Sequence, residues 1–286
     1  MKIVVWGLPL HTHTHSYIHQ AFHRASSRVG IESVWLEDSE RCNEQVRQGD
    51  IVICCGVSDK NLFYKKDVKY VLHNSDRNDL RQGEFITLQV YTHDVLERNV
   101  EKINDLTYWE NSSRTLYQPW ATDLLPEEIE KIEPSFSQSS TVYWIGSIMS
   151  GIHGNIEELT TYSELCEKNG IHFKNARNLS IQQNYNLTRE SRHSPVIQGK
   201  WQAEKGYIPC RIFKNISYGC WSETNSSTTA SLLGLDCHTS IESMYLSLEK
   251  SARDKNEKKT LEMMNLVKEK HTYVNRLKNI MSFIGA

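Results

Sequence analysis

The feature that most restricts the fold is a pattern that occurs twice: a short apolar run, a loop, then a helix with one apolar face. Residues 2–6, KIVVW, end at Gly7 and precede a helix expected over 14–29, with Ile18, Phe22, Ala25 and Val29 on one side and Gly30 as its stop. The second copy has an apolar run at 141–145, a loop over 146–154 with three glycines, and a helix over 155–169 that stops at Gly170 before another apolar run at 171–174. Parallel strands need a crossover between them, so strand, helix and strand in this order specify a βαβ unit.

Two such openings predict an α/β chain of two Rossmann-like domains, and 286 residues suffice for each to bury its own core. Further apolar runs at 31–36, 51–55, 68–73 and 85–90 extend the first sheet, with 39–48 as a helix candidate between them. The proline-punctuated stretch 118–140 reads as a boundary, giving a first domain over 1–122, a linker over 123–140 and a second domain over 141–259. In the second domain we expect a short helix over 181–188, a strand at 196–197, a polar loop over 222–231 and a helix from 241. A single long helix from about 260 to 284, within a final segment 260–286, is expected to cross back over the first domain.

Charge narrows the function classes. The chain has 33 basic and 35 acidic residues, a net charge of −2, which argues against a surface built mainly for nucleic-acid phosphates while leaving room for a local basic site. No apolar run approaches the length of a membrane span, so a soluble, cytoplasmic protein is expected. Seven cysteines, with Cys54 and Cys55 adjacent and no C-x-x-C, read as reduced thiols.

The stretch 194–219, SPVIQGKWQAEKGYIPCRIFKNISYG, carries the clearest chemical signal. Pro209 is placed in the first turn of a helix and Gly219 just past its end. Ile212, Phe213 and Ile216 share one face, and Arg211 and Lys214 lie on the other. Two cations near a helix start oppose the helix dipole unless an anion lies between them, and a phosphate fits that role. The loop GSIMSGIHGN, from Gly146 and Ser147 to Asn155, also suits an anion: glycines allow close backbone approach and the amides that follow can donate. Tyr207, with Trp201, offers a face for a nucleobase, and Asn225 and Ser226 in the polar loop after Gly219 offer groups for phosphate or sugar hydroxyls, although a solvated turn has the same composition.

The first-domain candidates are His13 and His15 in the run HTHTHS, which follows the first strand, where open α/β sheets bind ligands. On the helical wheel His15 falls near the buried stripe, His19 at its edge and His23 toward solvent. Three readings stand side by side: a neutral imidazole acting as general base, a histidine that only caps the helix, and a metal site completed from elsewhere. Asp76, in the loop HNSD after a predicted strand, is a further candidate as base or as orienting partner of His15, against the plainer reading of a strand-end turn.

Taken together, WGLPLHTHTHSYIH, the central WATDLLPEEI, the restart VYWIGSI and GYIPCRIFKNISYG resemble the GT-B glycosyltransferases, in particular viral and bacterial ones. In many of them the equivalent helix reads R-x-F-E and faces the nucleotide-sugar donor; Arg211 and Phe213 match, whereas Lys214 replaces the glutamate. The resemblance implies two domains with an interdomain cleft, a nucleotide-sugar donor as substrate with no tightly bound cofactor or metal, and transfer to a carbohydrate or small hydroxyl acceptor. A base in DNA is the less favoured acceptor. It further implies that the second domain binds the donor and the first domain supplies the base. A sugar-nucleotide-binding protein without transfer activity, or a sugar-nucleotide isomerase, would share the same halves.

Overall fold

Ile3–Trp6 (β1) is an uninterrupted apolar run and is wholly buried, as a strand covered on both faces must be. The computed structural model describes residues 1–92 and 95–284; the last two residues of the expected final segment lie outside them. The chain divides into two units, Met1–Leu125 with His271–Ala286, and Pro126–Lys270.

In the first unit β1 leads through Thr14–Arg28 (α1) to Ser33–Leu36 (β2), then to Ile51–Cys55 (β3), Lys69–His73 (β4) and Phe85–Gln89 (β5). Glu101–Asn104 (β6), Thr107–Glu110 (β7) and Thr115–Tyr117 (β8) complete an eight-stranded sheet in the order β2-β1-β3-β4-β5-β8-β7-β6. All neighbours are parallel except the β6–β7 and β7–β8 pairs. The order reverses at β1, which lies between β2 and β3, so the crevice outside the carboxyl ends of β1 and β3 is the place where such a sheet takes a ligand. The helix expected over 39–48 is a 3-10 segment, Glu40–Gln45. Arg77 pins the loop between β3 and β4, donating to the carbonyls of Asp59, Lys60 and Leu62.

The second unit begins with Pro126–Ile129 (α2) and contains one regular βαβ unit: Thr141–Ile145 (β9), Ile156–Lys168 (α3) and His172–Ala176 (β10), with β9 and β10 parallel. Helices follow at Ile181–Glu190 (α4), Lys200–Glu204 (α5), Cys210–Ser217 (α6), Ser227–Leu233 (α7), Ile241–Asp254 (α8) and Glu257–Lys270 (α9). The sheet of the second unit therefore has two strands, and the strand expected at 196–197 reduces to an isolated bridge between Val196 and Thr224. Its neighbourhood explains this. Pro195 has no N–H to give to a ladder, and Ser191 Oγ accepts the Tyr143 amide in place of a backbone carbonyl. The polar stretch expected as a loop over 222–231 ends in the first part of α7, and α8 starts where a helix was expected, on a Ser240–Ser243 capping box.

Tyr273–Phe283 (α10) is the last element of the described chain and belongs to the first unit. The single final helix expected from the sequence is thus two helices, α9 and α10, in different units. The break at residues 271–272 is set by Thr272, which forms a capping box with Asn275 and a parallel bridge with Thr122. Phe22 of α1 meets Tyr273 edge to face at 4.8 Å, and burial of each such ring contributes about 1.5–3 kcal/mol. Among the described residues no helix is long and apolar enough to cross a membrane.

Candidate functional site

The first unit gathers imidazoles at the carboxyl ends of β1 and β4. His13 is the N-cap of α1: its Nδ1 accepts the backbone N–H of His15 at 3.2 Å, which realises the capping role considered for these histidines. The His13 and His15 rings stack at 5.2 Å with their Nδ1 atoms 3.3 Å apart. Because His13 Nδ1 already accepts from an amide, the shared proton belongs on His15 Nδ1, which leaves the lone pair on His15 Nε2.

His73, the last residue of β4, stands 5.5 Å from His15 between ring centres, and its Nδ1–H donates to the Leu88 carbonyl at 3.2 Å. Trp120 closes the cluster edge-on, 4.7 Å from His73 and 6.2 Å from His15. His19 is buried rather than at the edge of the stripe; its Nδ1 has no hydrogen-bond partner. Gly7 is required beside it, since a Cβ there would overlap the His19 ring. Burial, with the neighbouring His73 and His13, pushes the His15 pKa down to about 4, and burial with the other imidazoles pushes His19 down to about 3. Burial also lowers His73. His15 is therefore neutral at physiological pH and able to accept a proton, but a weaker base than an ordinary histidine.

Of the stretch HNSD, His73 contributes as the last residue of β4. Asp76 is exposed and forms no hydrogen bond with His15, so the orienting role expected of it is not realised; a side chain on the loop can swing to water, whereas the last strand residue is held against the crevice. Strand-end position was the signal for His73, and Trp120 gave none beyond its size. Among the described residues, no group of three or more His, Cys, Asp or Glu side chains is arranged to hold a metal ion.

In the second unit Arg211 and the loop after β9 do meet. The Arg211 guanidinium lies over the Trp144 ring with Cζ 3.6 Å from its centre, and Nη2 donates to the Ile145 carbonyl at 2.8 Å. Gly146 makes this packing possible: its φ is +143°, and a Cβ would overlap Arg211 Nη2. Burial lowers the Arg211 pKa to about 10, so the half-buried group keeps its charge at neutral pH. Ser147 Oγ accepts from Arg177 at 3.2 Å, adding a second, exposed cation at the carboxyl ends of β9 and β10 that the sequence reading did not select.

Helix α6 has Pro209 as its N-cap, one place before the position expected, and ends in a Schellman motif in which Cys220 N–H donates to Asn215 O, Gly219 N–H to Ile216 O, and Gly219 has φ +85°. The expected pair of cations near the helix start resolves differently for each member. Arg211 is in the first turn, while Lys214 falls in the last, where the dipole favours a cation, and lies 5.8 Å over the Tyr218 ring.

The other expected donor contacts are used within the fold. Asn155 Oδ1 accepts the Met149 amide, and the Asn155 and Ile156 amides both donate to the Met149 carbonyl. With Glu157 and Glu158 in its first turn, the start of α3 has little left for a phosphate. Gly154 and Gly199 serve close backbone packing, since a Cβ on either would overlap the carbonyl of Met149 or of Gly154. Asn225 clamps Gln198, accepting its N–H at 2.9 Å and donating to its carbonyl at 2.7 Å, and Ser226 caps α7. These residues belong to a buried, hydrogen-bonded segment rather than a solvated turn. Tyr207 is half-buried close to Arg211, and its carbonyl accepts from Gln198.

No protein-family model matches the chain, and no curated protein matches it. Solved structures do. A crystal structure of the DNA-modifying enzyme β-glucosyltransferase, described with and without uridine diphosphoglucose, matches with a TM-score of 0.58. T4 phage BGT in complex with its UDP-glucose substrate matches at 0.59, and a further structure of T4 phage β-glucosyltransferase at 0.56. Each match covers 100% of this chain and 100% of the other, at 9% sequence identity. The likeness is one of fold: from end to end the chain follows the GT-B architecture of that glucosyltransferase.

Proposed function

We propose that this protein is a glycosyltransferase that moves a sugar from a nucleoside diphosphate donor to a hydroxyl acceptor. The observation that carries the reading is the Arg211 guanidinium, charged and held over Trp144 at the carboxyl end of β9, in a fold shared with an enzyme that uses UDP-glucose. In the transfer the bond from the anomeric carbon to the donor phosphate breaks, and the nucleoside diphosphate leaves with the electron pair. The acceptor oxygen bonds to that carbon and gives its proton to His15 Nε2. Arg211 stabilises the charge that grows on the leaving group, assisted by Arg177 and the Gly146–Ser147 backbone, and this is where fixed cations contribute most to rate. Neutral His15 supplies the acceptor for the proton. The roles proposed for Tyr207, Lys214, Asn155, Asn225 and Ser226 reduce to support of this site.

The acceptor we favour is a glycan or small-molecule hydroxyl. DNA is the second reading, favoured by one feature: residues 250–259 carry five cations against two carboxylates, all exposed apart from the half-buried Ser251 and Ala252. A DNA acceptor would make turnover fall steeply with salt, and a small acceptor would not.

The test is a thermal-shift and calorimetric titration with uridine, guanosine, adenosine, cytidine and thymidine diphosphates and their sugar conjugates. At least one is expected to raise the melting temperature, the effect being lost in Arg211→Met and kept in His15→Gln, while His15→Gln abolishes release of nucleoside diphosphate in the presence of acceptor. A protein indifferent to every one of these ligands would sink the reading.

A further inference from the structure

Behind the imidazole cluster lies a buried cation. Arg276 of α10 is 2% exposed, and its guanidinium spans two consecutive carbonyls: Nε donates to Pro119 O at 2.7 Å and Nη2 to Trp120 O at 3.3 Å. Nη2 also lies 3.3 Å from His271 Nδ1, to which it donates. The same return segment grips the flanking residues. Gln118 Nε2 donates to Arg276 O, Asn279 Nδ2 donates to Gln118 Oε1, and the Thr122 amide donates to His271 O. Residues 118–122 are thus held along their length by residues 271–279, and what they carry forward is the Trp120 ring, edge-on to His73 and His15.

Burying a guanidinium is costly even when it is hydrogen-bonded, and an apolar residue would fill the same space at less cost. What a guanidinium adds is a rigid planar fork, which fixes the rotation of two successive peptide groups where a methylene chain would leave them loose. Burial lowers the Arg276 pKa to about 10, so the fork stays charged at neutral pH.

We infer that Arg276 is a positioning residue for the histidine site, acting through Trp120, whose edge it holds against His15 and His73. The C-terminal return is in this view part of the site's construction. Trp120 excludes water from His15, and the groups facing His15 are imidazoles: His13 at the N-cap of α1, His19 within α1 and His73 from β4. Among the described residues none of these four imidazoles is paired with a carboxylate. The inference rests on His15 being the proton acceptor of the proposed transfer.

The experiment follows the His15 ring by NMR in the full chain, with its signal assigned by its loss in His15→Gln, across a pH titration of wild type, Arg276→Lys, Arg276→Gln and Trp120→Phe. Lysine keeps the charge without the fork, and glutamine keeps one donor without the charge. In both Arg276 variants, and in Trp120→Phe, the His15 midpoint is expected to rise by about one pH unit as the ring regains water. Folded Arg276 variants with an unmoved His15 midpoint overturn the inference, as does loss of the folded state in both, which would assign Arg276 to folding alone. Because ring titration needs no turnover, this outcome is separate from whether the protein transfers sugar.

Discussion

Replacing Gly146 with alanine tests the Arg211 site without touching a charged group. Two costs follow. Alanine at φ +143° is strained, which is worth about 1–3 kcal/mol wherever it occurs. Its Cβ would also overlap Arg211 Nη2 and lie 3.5 Å from Cζ, so the guanidinium must leave the Trp144 face and the Ile145 carbonyl. The cation–π contact is worth about 0.5–2 kcal/mol and the charge-assisted hydrogen bond about 1.5–3 kcal/mol, but a half-buried guanidinium recovers part of this by hydration. We therefore expect a coupling of about 1–3 kcal/mol between positions 146 and 211. Urea unfolding of wild type, Gly146→Ala, Arg211→Met and the double variant measures it: Gly146→Ala should be markedly more destabilising with Arg211 present than with methionine there. Nucleoside diphosphate binding should fall in parallel, by about tenfold for each 1.4 kcal/mol lost from the contact. Additive costs, equal within about 0.5 kcal/mol in the two backgrounds, would refute the view that Gly146 exists to seat Arg211.

This coupling also shows which parts of the molecule the sequence could convey. β3 is found where its apolar run placed it, Ile51–Cys55, and β1 and β4 nearly so, because strands buried on both faces leave continuous apolar stretches; β5 also lies near its expected place, although its residues alternate between buried and half-buried. β6, β7 and β8 went unseen, since EKIN at the edge of the sheet and TYWE beside it mix charged with apolar residues and TLY is only three residues long. The second unit's sheet was overestimated for the opposite reason: Val196 and Ile197 are fully buried and strand-like in composition, yet Pro195 and the serines around them move the hydrogen bonds onto side chains. Asn225 and Ser226 illustrate an ambiguity of composition, because the same polar atoms can bind water, a ligand or a neighbouring backbone, and only folding decides among them. The histidine run pointed to the right end of the first sheet, but not to His73 or to the Arg276 fork behind Trp120. Arg211 and Ile145 are 66 residues apart, and nothing local to either announces the other.

Three further outcomes are expected. Lys214→Ala should weaken nucleoside diphosphate binding far less than Arg211→Met in calorimetry, because Lys214 sits where the α6 dipole already favours it; equal losses would restore the paired-cation reading. Transfer should persist in EDTA, since the leaving-group charge is assigned to Arg211 and Arg177, and a loss reversed by divalent cations would contradict that assignment. The pH dependence follows from the buried imidazoles. His15 accepts a proton only while neutral, so the acid limb of kcat should lie near its depressed pKa of about 4 rather than near 6.5. For stability the sign is set by proton uptake: between those values the unfolded chain binds protons that folded His15 and His19 refuse, so the unfolding free energy must fall as pH drops through 6.5 toward 4, and on to about 3 where His19 charges. Above about 6.5 both states are neutral and the contribution to the slope vanishes. Urea midpoints measured at about pH 7.5 and about pH 5 should therefore differ less in His19→Asn than in wild type. An identical drop in the two proteins would mean that His19 is not held neutral by its burial beside Gly7.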